Sequence, residues 1–391
     1  MHTVAIVSAV RTPIGKFGGM FSDLTTVQLG TAALSAAIAR AGLVCGDVEE
    51  VFFGNARQAG CGPNPARQIS VKAGIPVEVP AVTINQACGS GLRAIFMGAD
   101  TIRLGRARVV GVGGAENMSR VPFLLERARW GYRLGNSEVV DAMYRDGFNC
   151  PLAEKIMGET AETLAEHYHI TREQQDVYAL ESQLRAERAV KSGAFLDEIV
   201  PTEIGGGKKA RPPVTADEHP RPETTMETLA RLPPVFRGTV TAGNASGITD
   251  GAAALVLMAL PEAQKRGIEP LAILREQATV ALDPRVMGLG AALAAKRVLE
   301  LAGQGPDDID LFEVNEAFAA QVLACQALYP LPLDRTNVNG GAIALGHPIG
   351  ATGARITVTL LHAMKARGAK RGLATLCVSG GQGLAAILER P

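Results

Sequence analysis

Two cysteines and one histidine sit in glycine-rich turns where a nucleophile, a base and backbone N–H groups could meet. The turns are Asn85-Gln86-Ala87-Cys88-Gly89-Ser90-Gly91, Gly346-His347-Pro348-Ile349-Gly350 and Cys377-Val378-Ser379-Gly380-Gly381. Cys88 follows an expected strand and precedes an expected helix. Its thiol would then feel the positive end of the helix dipole and nearby N–H groups, which favours the thiolate. Gly89 and Gly91 leave room for an acyl group to approach the backbone. A small buried hydrophobe fits the same position equally well. His347 comes 259 residues after Cys88, and Cys377 closes an expected strand at 373–376. Two thiols and one imidazole suit a metal site, a redox pair or an acyl-transfer centre. A metal lacks a fourth ligand at usable spacing, and a disulfide is disfavoured in a reducing compartment. Acyl transfer needs a nucleophile, a base and oxyanion donors, and these turns offer all three. None is a phosphate loop: GxxxxGK is absent, and Gly111-Val112-Gly113-Gly114-Ala115-Glu116 breaks GxGxxG at its last position.

Such turns need strands and helices to hold them. Apolar runs at 4–10, 51–53, 81–84 and 108–112 predict buried strands, and 26–41 and 91–104 predict helices. This βαβα rhythm points to an α/β protein with a largely parallel sheet under helices. From about 119 to 240 charges rise and apolar runs shorten. One helix stands out there, opened by the capping box Thr171-Arg172-Glu173-Gln174, carried by Val177, Leu180 and Leu184, and stopped by Gly193. The first rhythm returns after 252. A shift of 260 residues superposes Leu29-Gly30 on Leu289-Gly290, Ala32 on Ala292, and Asp47, Phe52 and Asn55 on Asp307, Phe312 and Asn315. Gly113-Gly114 and Gly380-Gly381 offer a further parallel. Two related halves, 1–260 and 261–391, with an inserted segment at about 119–240, are the expected organisation.

Composition narrows the function classes. Lys+Arg and Asp+Glu both number 39, so no overall basic field marks a nucleic-acid binder. The longest apolar run, 251–260, is about half a membrane span. The run at 4–10 lacks the flanks of a signal peptide. Cysteines at 45, 61, 88, 150, 325 and 377 form no CxxC pair. A soluble, reduced, cytoplasmic protein is expected, without nucleic-acid or membrane partners.

Six segments carry a resemblance to the thiolase family over nearly the whole chain: NQACGSG around Cys88, GGAENMS at 113–119, TAGNASGITDGAAA at 241–254, NEAFA at 315–319, GGAIALGHPIGATGAR at 340–355 and CVSGGQG at 377–383. The resemblance implies a five-layer α-β-α-β-α sandwich built from two similar halves, with a loop domain inserted in the first. It implies ping-pong condensation of two acetyl-CoA to acetoacetyl-CoA and CoA, and the reverse thiolysis. In that scheme Cys88 is acylated, His347 assists its deprotonation, and Cys377 takes the α-proton of the second acetyl-CoA. Asn315, through a bound water, and His347 meet the enolate oxygen, while the N–H groups of Cys88 and Ser379 hold the acyl oxygen. Ser246 matches the residue beside the pantetheine arm. Arg221, with Lys208, Lys209 and Arg211, is the candidate for the phosphates of coenzyme A, and Met157 and Met287 for the acyl end. CoA thioesters are substrates, so no cofactor and no metal is implied. A homotetramer, a dimer of dimers touching through 127–135 around Trp130, is also implied. Two departures stand out. Ser379 replaces a family glycine and would strain a left-handed backbone, and Ile156 replaces a histidine common among acetoacetyl-forming members. The rival readings are a degradative 3-ketoacyl-CoA thiolase on longer chains, a ketoacyl synthase, which has no counterpart of Cys377, and a non-catalytic acyl-binding relative.

Overall fold

In a computed structural model describing residues 2–205 and 212–391, the apolar runs pair into one ten-stranded sheet. Its longer strands are β1 Val4–Arg11, β2 Glu50–Gly54, β3 Ala81–Ile84, β4 Val109–Asn117, β5 Thr249–Ala259, β6 Ala272–Ala281, β7 Leu311–Val314, β8 Arg371–Val378 and β9 Gln382–Glu389. They run in the order β7-β8-β9-β6-β1-β5-β4-β2-β3, with Gly15–Lys16 pairing onto β5. The principal helices are α1 Thr26–Arg40, α2 Pro65–Lys72, α3 Ser90–Arg103, α4 Met157–His167, α5 Arg172–Lys191, α6 Gly290–Ala302, α7 Ala319–Leu328 and α8 Ile349–Arg367. Among the described residues no helix is long and apolar enough to cross a membrane.

The seam of the sheet is short. β1 and β6 pair antiparallel through Ala5–Ile273 and Ile6–Ala272. Outward from it, each half adds an antiparallel strand, a second antiparallel strand and then a parallel one. The 260-residue shift follows this symmetry: α1 corresponds to α6, the turn at 45–47 to that at 306–308, and β2 to β7. The glycine pairs do not correspond. Gly113-Gly114 lies inside β4, whereas Gly380-Gly381 forms the turn between β8 and β9 at φ 88° and 83°.

Burial explains the layering. Leu92, Ile95 and Phe96 of α3 and Ile356, Val358 and Leu360 of α8 share one core with Leu255 of the first half and Leu376 of the second. Leu29, Leu34 and Ile38 of α1 cover the opposite face of the first half, and Ala291, Ala295 and Val298 of α6 that of the second. The stack is therefore helix, sheet, helix pair, sheet, helix. β5 is buried along its whole length, as a strand covered on both faces must be. In α5 the Thr171 capping box forms as expected, but Val177 is exposed. Its buried face is instead Gln175, Asp176, Ala179, Ser182, Gln183, Ala186 and Ala189. That face packs on α7 and on the short helices Met226–Ala230 and Ala342–Leu345 instead of the sheet, with Ala179 against Ala319 and Ile343 and Ala186 against Ala344 and Leu345.

The two central helices touch backbone to backbone. A Cβ on Gly91 would lie 2.7 Å from the Ala354 nitrogen, and one on Gly353 2.4 Å from the Leu92 nitrogen. The Gly350 carbonyl oxygen sits 2.7 Å from a Cβ built on Gly54 and 2.2 Å from one on Gly114. Only glycine permits these approaches. Gly353→Ala is expected to push α3 from α8 and lower stability by about 1–3 kcal/mol, with loss of turnover. Gly46→Ala, where a Cβ meets open space, should leave both unchanged. Thermal unfolding and steady-state rates of the two variants check this.

Candidate active site

The N-terminal turns of α3 and α8 and the ends of β7 and β8 bring the candidate residues to one place. Cys88 precedes Gly89, the N-cap of α3. The residue before it, Ala87, is left-handed at φ 44°, a conformation that costs energy without a glycine. Its N–H donates to Asn85 Oδ1 at 3.0 Å, and its carbonyl accepts from Ser90 Oγ at 2.7 Å. Ser90 Oγ also accepts from the Gln86 N–H at 2.9 Å. This lacing lifts Cys88 out of the strand direction, and the thiol residue keeps some exposure.

Cys377 is buried on β8, opposite Gly383 of β9. Ser379 follows in the turn without a positive φ. The strain expected there is absent because Gly380 and Gly381 take the left-handed positions. The Ser379 N–H favours the anionic form of the Cys88 thiol. Asn315 leaves β7, and its N–H donates to Thr375 O, two residues before Cys377, at 3.0 Å. The Asn315 side chain is fully buried, yet neither Oδ1 nor Nδ2 has a protein partner. Its repeat-mate Asn55 instead donates to Glu116 Oε1 at 2.7 Å.

His347 lies just ahead of α8. Its Nδ1 is 2.6 Å from Thr352 Oγ1, and that hydroxyl donates to Pro348 O at 3.0 Å. With its one proton given to Pro348, Thr352 accepts from Nδ1–H, which leaves Nε2 as the basic nitrogen. Ser246 is half-buried, and its N–H donates to Ala317 O at 3.0 Å, so it abuts the turn that carries Asn315. Arg221 is exposed and lines a groove of about 220 Å³ with His219, Gly243 and Ile343. Met287 and Met157 pack in the same apolar cluster as Cys377. Ile156 heads α4, its N–H donating to Glu159 Oε2 at 2.9 Å. Lys208, Lys209 and Arg211 lie outside the described residues. Trp130 is 84 % exposed, in a segment exposed throughout 127–135.

Sequence reading missed the carboxylates that hold these turns. Glu116, at the end of β4, is buried and accepts from Asn55 Nδ2, from the N–H of Ala56 and Arg57 at 3.1 Å each, and from the Gly350 N–H at 2.8 Å. It ties the start of α8 to the end of β2. Glu316 accepts from Ser182 Oγ at 2.7 Å, Asn337 Nδ2 at 2.9 Å and the Ile343 N–H at 3.0 Å. Both lie in segments already singled out, GGAENMS and NEAFA, but an acidic residue in a motif does not announce that it is an anchor.

Residues 4–260 match the thiolase N-terminal domain, and residues 268–390 the thiolase C-terminal domain. The chain belongs to the thiolase family. It is 48 % identical over 392 residues to the acetyl-CoA acetyltransferase of Pseudomonas aeruginosa, covering all of both chains. It superposes on the crystal structure of the Bacillus anthracis acetyl-CoA acetyltransferase with a TM-score of 0.97, at 46 % identity, over 100 % of this chain and 99 % of that one. On human mitochondrial 3-ketoacyl-CoA thiolase the TM-score is 0.96 at 41 % identity, with the same coverage.

In this thiolase the site rests uncharged. Burial pushes the Cys88 thiol up, against the Arg57 cation and the N–H groups of Ser379 and Cys88. Burial raises the Cys377 thiol well above its ordinary range, and the neighbouring Cys88 raises it further. Burial, with the Arg355 and Arg57 cations, lowers His347 to about 3. The unfolded chain protonates His347 near its ordinary pKa of about 6.5, whereas the folded one refuses the proton until about 3. Stability carried by the neutral ring is therefore present above pH 6.5 and is lost as pH falls toward 3. Without that titration, His347→Asn is expected to show a flatter acid limb. The difference should reach about 1.4 kcal/mol per pH unit inside the window, read from urea unfolding of both proteins between pH 6.5 and 4.5.

Proposed function

We propose that this thiolase is an acetyl-CoA acetyltransferase, condensing two acetyl-CoA into acetoacetyl-CoA and CoA and running the thiolysis in reverse. One observation carries the reading. A Cβ on Gly89, the residue after Cys88, would meet Cγ2 of Val378, the residue after Cys377, at 3.0 Å, so the two cysteine turns lie against each other. A nucleophile and a second thiol in such contact suit a reaction that needs an acyl acceptor and then a carbon base. The names of relatives such as the Pseudomonas aeruginosa protein support the acetyl substrate.

The steps follow from the groups. His347 Nε2 takes the Cys88 proton, and the sulfur attacks the acetyl carbonyl carbon. The N–H groups of Cys88 and Ser379 receive the developing oxyanion, and CoA leaves with the proton. His347 Nε2, free again, takes the Cys377 proton, and the resulting Cys377 thiolate removes the α-proton of a second acetyl-CoA. His347 and a water held by Asn315 stabilise the enolate oxygen. The unpartnered buried amide of Asn315 is the support for that water, since a buried polar group finds a partner in protein or in ordered water. The carbanion attacks the acetyl-Cys88 carbonyl, the carbon–carbon bond forms, and the Cys88 sulfur departs and takes the proton held by His347. Ser246 and Arg221 are the residues assigned to coenzyme A, and Met157 and Met287 those assigned to the acyl group, a reading supported by their sharing one apolar cluster with Cys377.

Replacing Cys88 by Ala should abolish acetyl labelling and turnover. Cys377→Ala should still accept acetyl on Cys88 but lose exchange of the acetyl-CoA methyl protons with deuterated solvent, and condensation should fall by roughly 10²–10⁴. Mass spectrometry of the acetylated peptide and proton exchange read the two roles separately. Acetyl on Cys377 in the unmodified protein, or undiminished exchange in Cys377→Ala, would overturn the assignment.

Among 3-ketoacyl-CoAs, acetoacetyl-CoA is expected to be the fastest thiolysis substrate. Faster cleavage of a six- or eight-carbon substrate would replace the acetyl reading with the long-chain one.

A further inference from the structure

His219 has no role in the chemistry above, yet its ring touches both sides of the turn that carries His347. It is 9 % exposed and lies in the stretch between α5 and β5. The residues flanking it are tied down. Asp217 pairs with the buried Arg11 guanidinium at 2.7 Å and accepts from the Ile14 N–H at 2.8 Å. The Glu218 N–H donates to Ile14 O at 2.9 Å, and the Arg221 N–H to Gln183 Oε1 at 3.0 Å. An imidazole carried on backbone anchored at both flanks is itself a fixed support.

Two contacts show what it supports. Nδ1 lies 2.7 Å from the buried Ala344 carbonyl oxygen. A carbonyl only accepts, so Nδ1 carries the proton and donates. Ala344 belongs to the short helix Ala342–Leu345, which leads through Gly346 into His347, and a helix end leaves carbonyls that need outside donors. The second contact is with Gly247. The ring edge formed by Nε2, Cδ2 and Cε1 occupies the place that a Cβ on Gly247 would take. Gly247 does not have a positive φ, so its missing side chain provides room for the imidazole and not a left-handed turn. Its carbonyl in turn accepts the His347 N–H at 3.2 Å. Thr352 fixes the His347 ring from α8, and His219 bridges the two backbone segments on the other side. Burial lowers the His219 imidazole below its ordinary range, so at pH 7 the ring is neutral and presents this single N–H.

We propose that His219 is a positioning residue for His347, bracing the turn of the base by donating from Nδ1 to Ala344 O and by filling the space beside Gly247. The inference rests on His347 being the base for Cys88, as proposed above. His219 also lines the groove that holds Arg221. Contact with coenzyme A is therefore the competing assignment, and a change in KM separates it from a change in kcat.

Thiolysis of acetoacetyl-CoA and the rate of acetyl labelling of Cys88 by acetyl-CoA are measured in His219→Ala, His219→Asn, Gly247→Ala and the double variant His219→Ala/Gly247→Ala, together with thermal unfolding. In His219→Ala, kcat and the labelling rate should each fall at least about tenfold while KM stays within about twofold. His219→Asn keeps an N–H near the place of Nδ1 and should restore most of the loss. Gly247→Ala displaces the ring and should lose kcat as His219→Ala does, which reads the same contact should His219→Ala fail to fold. The double variant should be little worse than the poorer single one, because both substitutions remove one contact. A raised KM with kcat retained would assign His219 to coenzyme A and overturn the proposal. A lowered unfolding temperature with kcat retained would assign it to folding and overturn it as well, and so would additive losses in the double variant. His347→Asn is run alongside. Undiminished labelling of Cys88 in that variant removes the base and this inference with it, whereas labelling lost there but intact in His219→Ala removes His219 alone.

Discussion

The contact on which the site depends is the crossing of α3 and α8 at their first turns, where Gly91 meets Ala354 and Gly353 meets Leu92 with no side chain between them. A candidate residue stands just ahead of each helix: Cys88 before α3 and His347 before α8. A methyl group at either glycine would separate the helices by a distance comparable to a hydrogen bond's tolerance, and proton transfer between a thiol and an imidazole fails over such a gap. The crossing reaches further, because the Gly350 carbonyl also rests against Gly54 and Gly114. Four elements thus meet backbone to backbone, with Glu116 accepting N–H groups from two of them.

Around this crossing the protein keeps its reactive groups neutral. Burial works against the thiolate at Cys88 and Cys377 and against the imidazolium at His347. Charge is therefore created only when a proton moves between them, in a place already lined with N–H donors. The cost of burying polar groups is offset elsewhere by full hydrogen bonding, as with Glu116 and Glu316. Asn315 is the exception among the site residues, with both side-chain atoms unbonded to protein. Arg355, inside α8, is another buried group without hydrogen-bond partners; Glu313 stands 3.7 Å away and burial raises that carboxyl to about 8.

Internal duplication explains how the Cys88 and His347 turns come to face each other, since the shift carries the start of α3 onto the start of α8. The two halves repeat the same strand order about the β1–β6 seam, so the ends of equivalent elements converge. Equivalent positions have nonetheless diverged. Asn55 donates to a structural carboxylate, while its mate Asn315 is left free for the site. The first half carries an additional parallel strand, β3, beyond β2. From it the chain enters the Cys88 turn, whereas His347 is reached through the loop after Gly340.

Local pattern in the sequence determined the strands, the capped helix at 172–191 and the 260-residue repeat, and singled out Cys88, His347, Cys377 and Asn315 as candidates, because apolar period, capping chemistry and motif are properties of neighbouring residues. Tertiary structure alone decided what those residues experience. Ala87 is left-handed because Asn85 and Ser90 hold it, and Ser379 is unstrained because two glycines follow it. The buried face of α5 carries small and polar residues because it meets short helices and buried carboxylate partners, with Ser182 donating to Glu316, instead of a sheet. Glu116 acquires its role only where strands distant in sequence end side by side. Hydrogen bonding, desolvation and charge act through space over a few ångströms, and sequence distance carries no information about that space until the chain has folded.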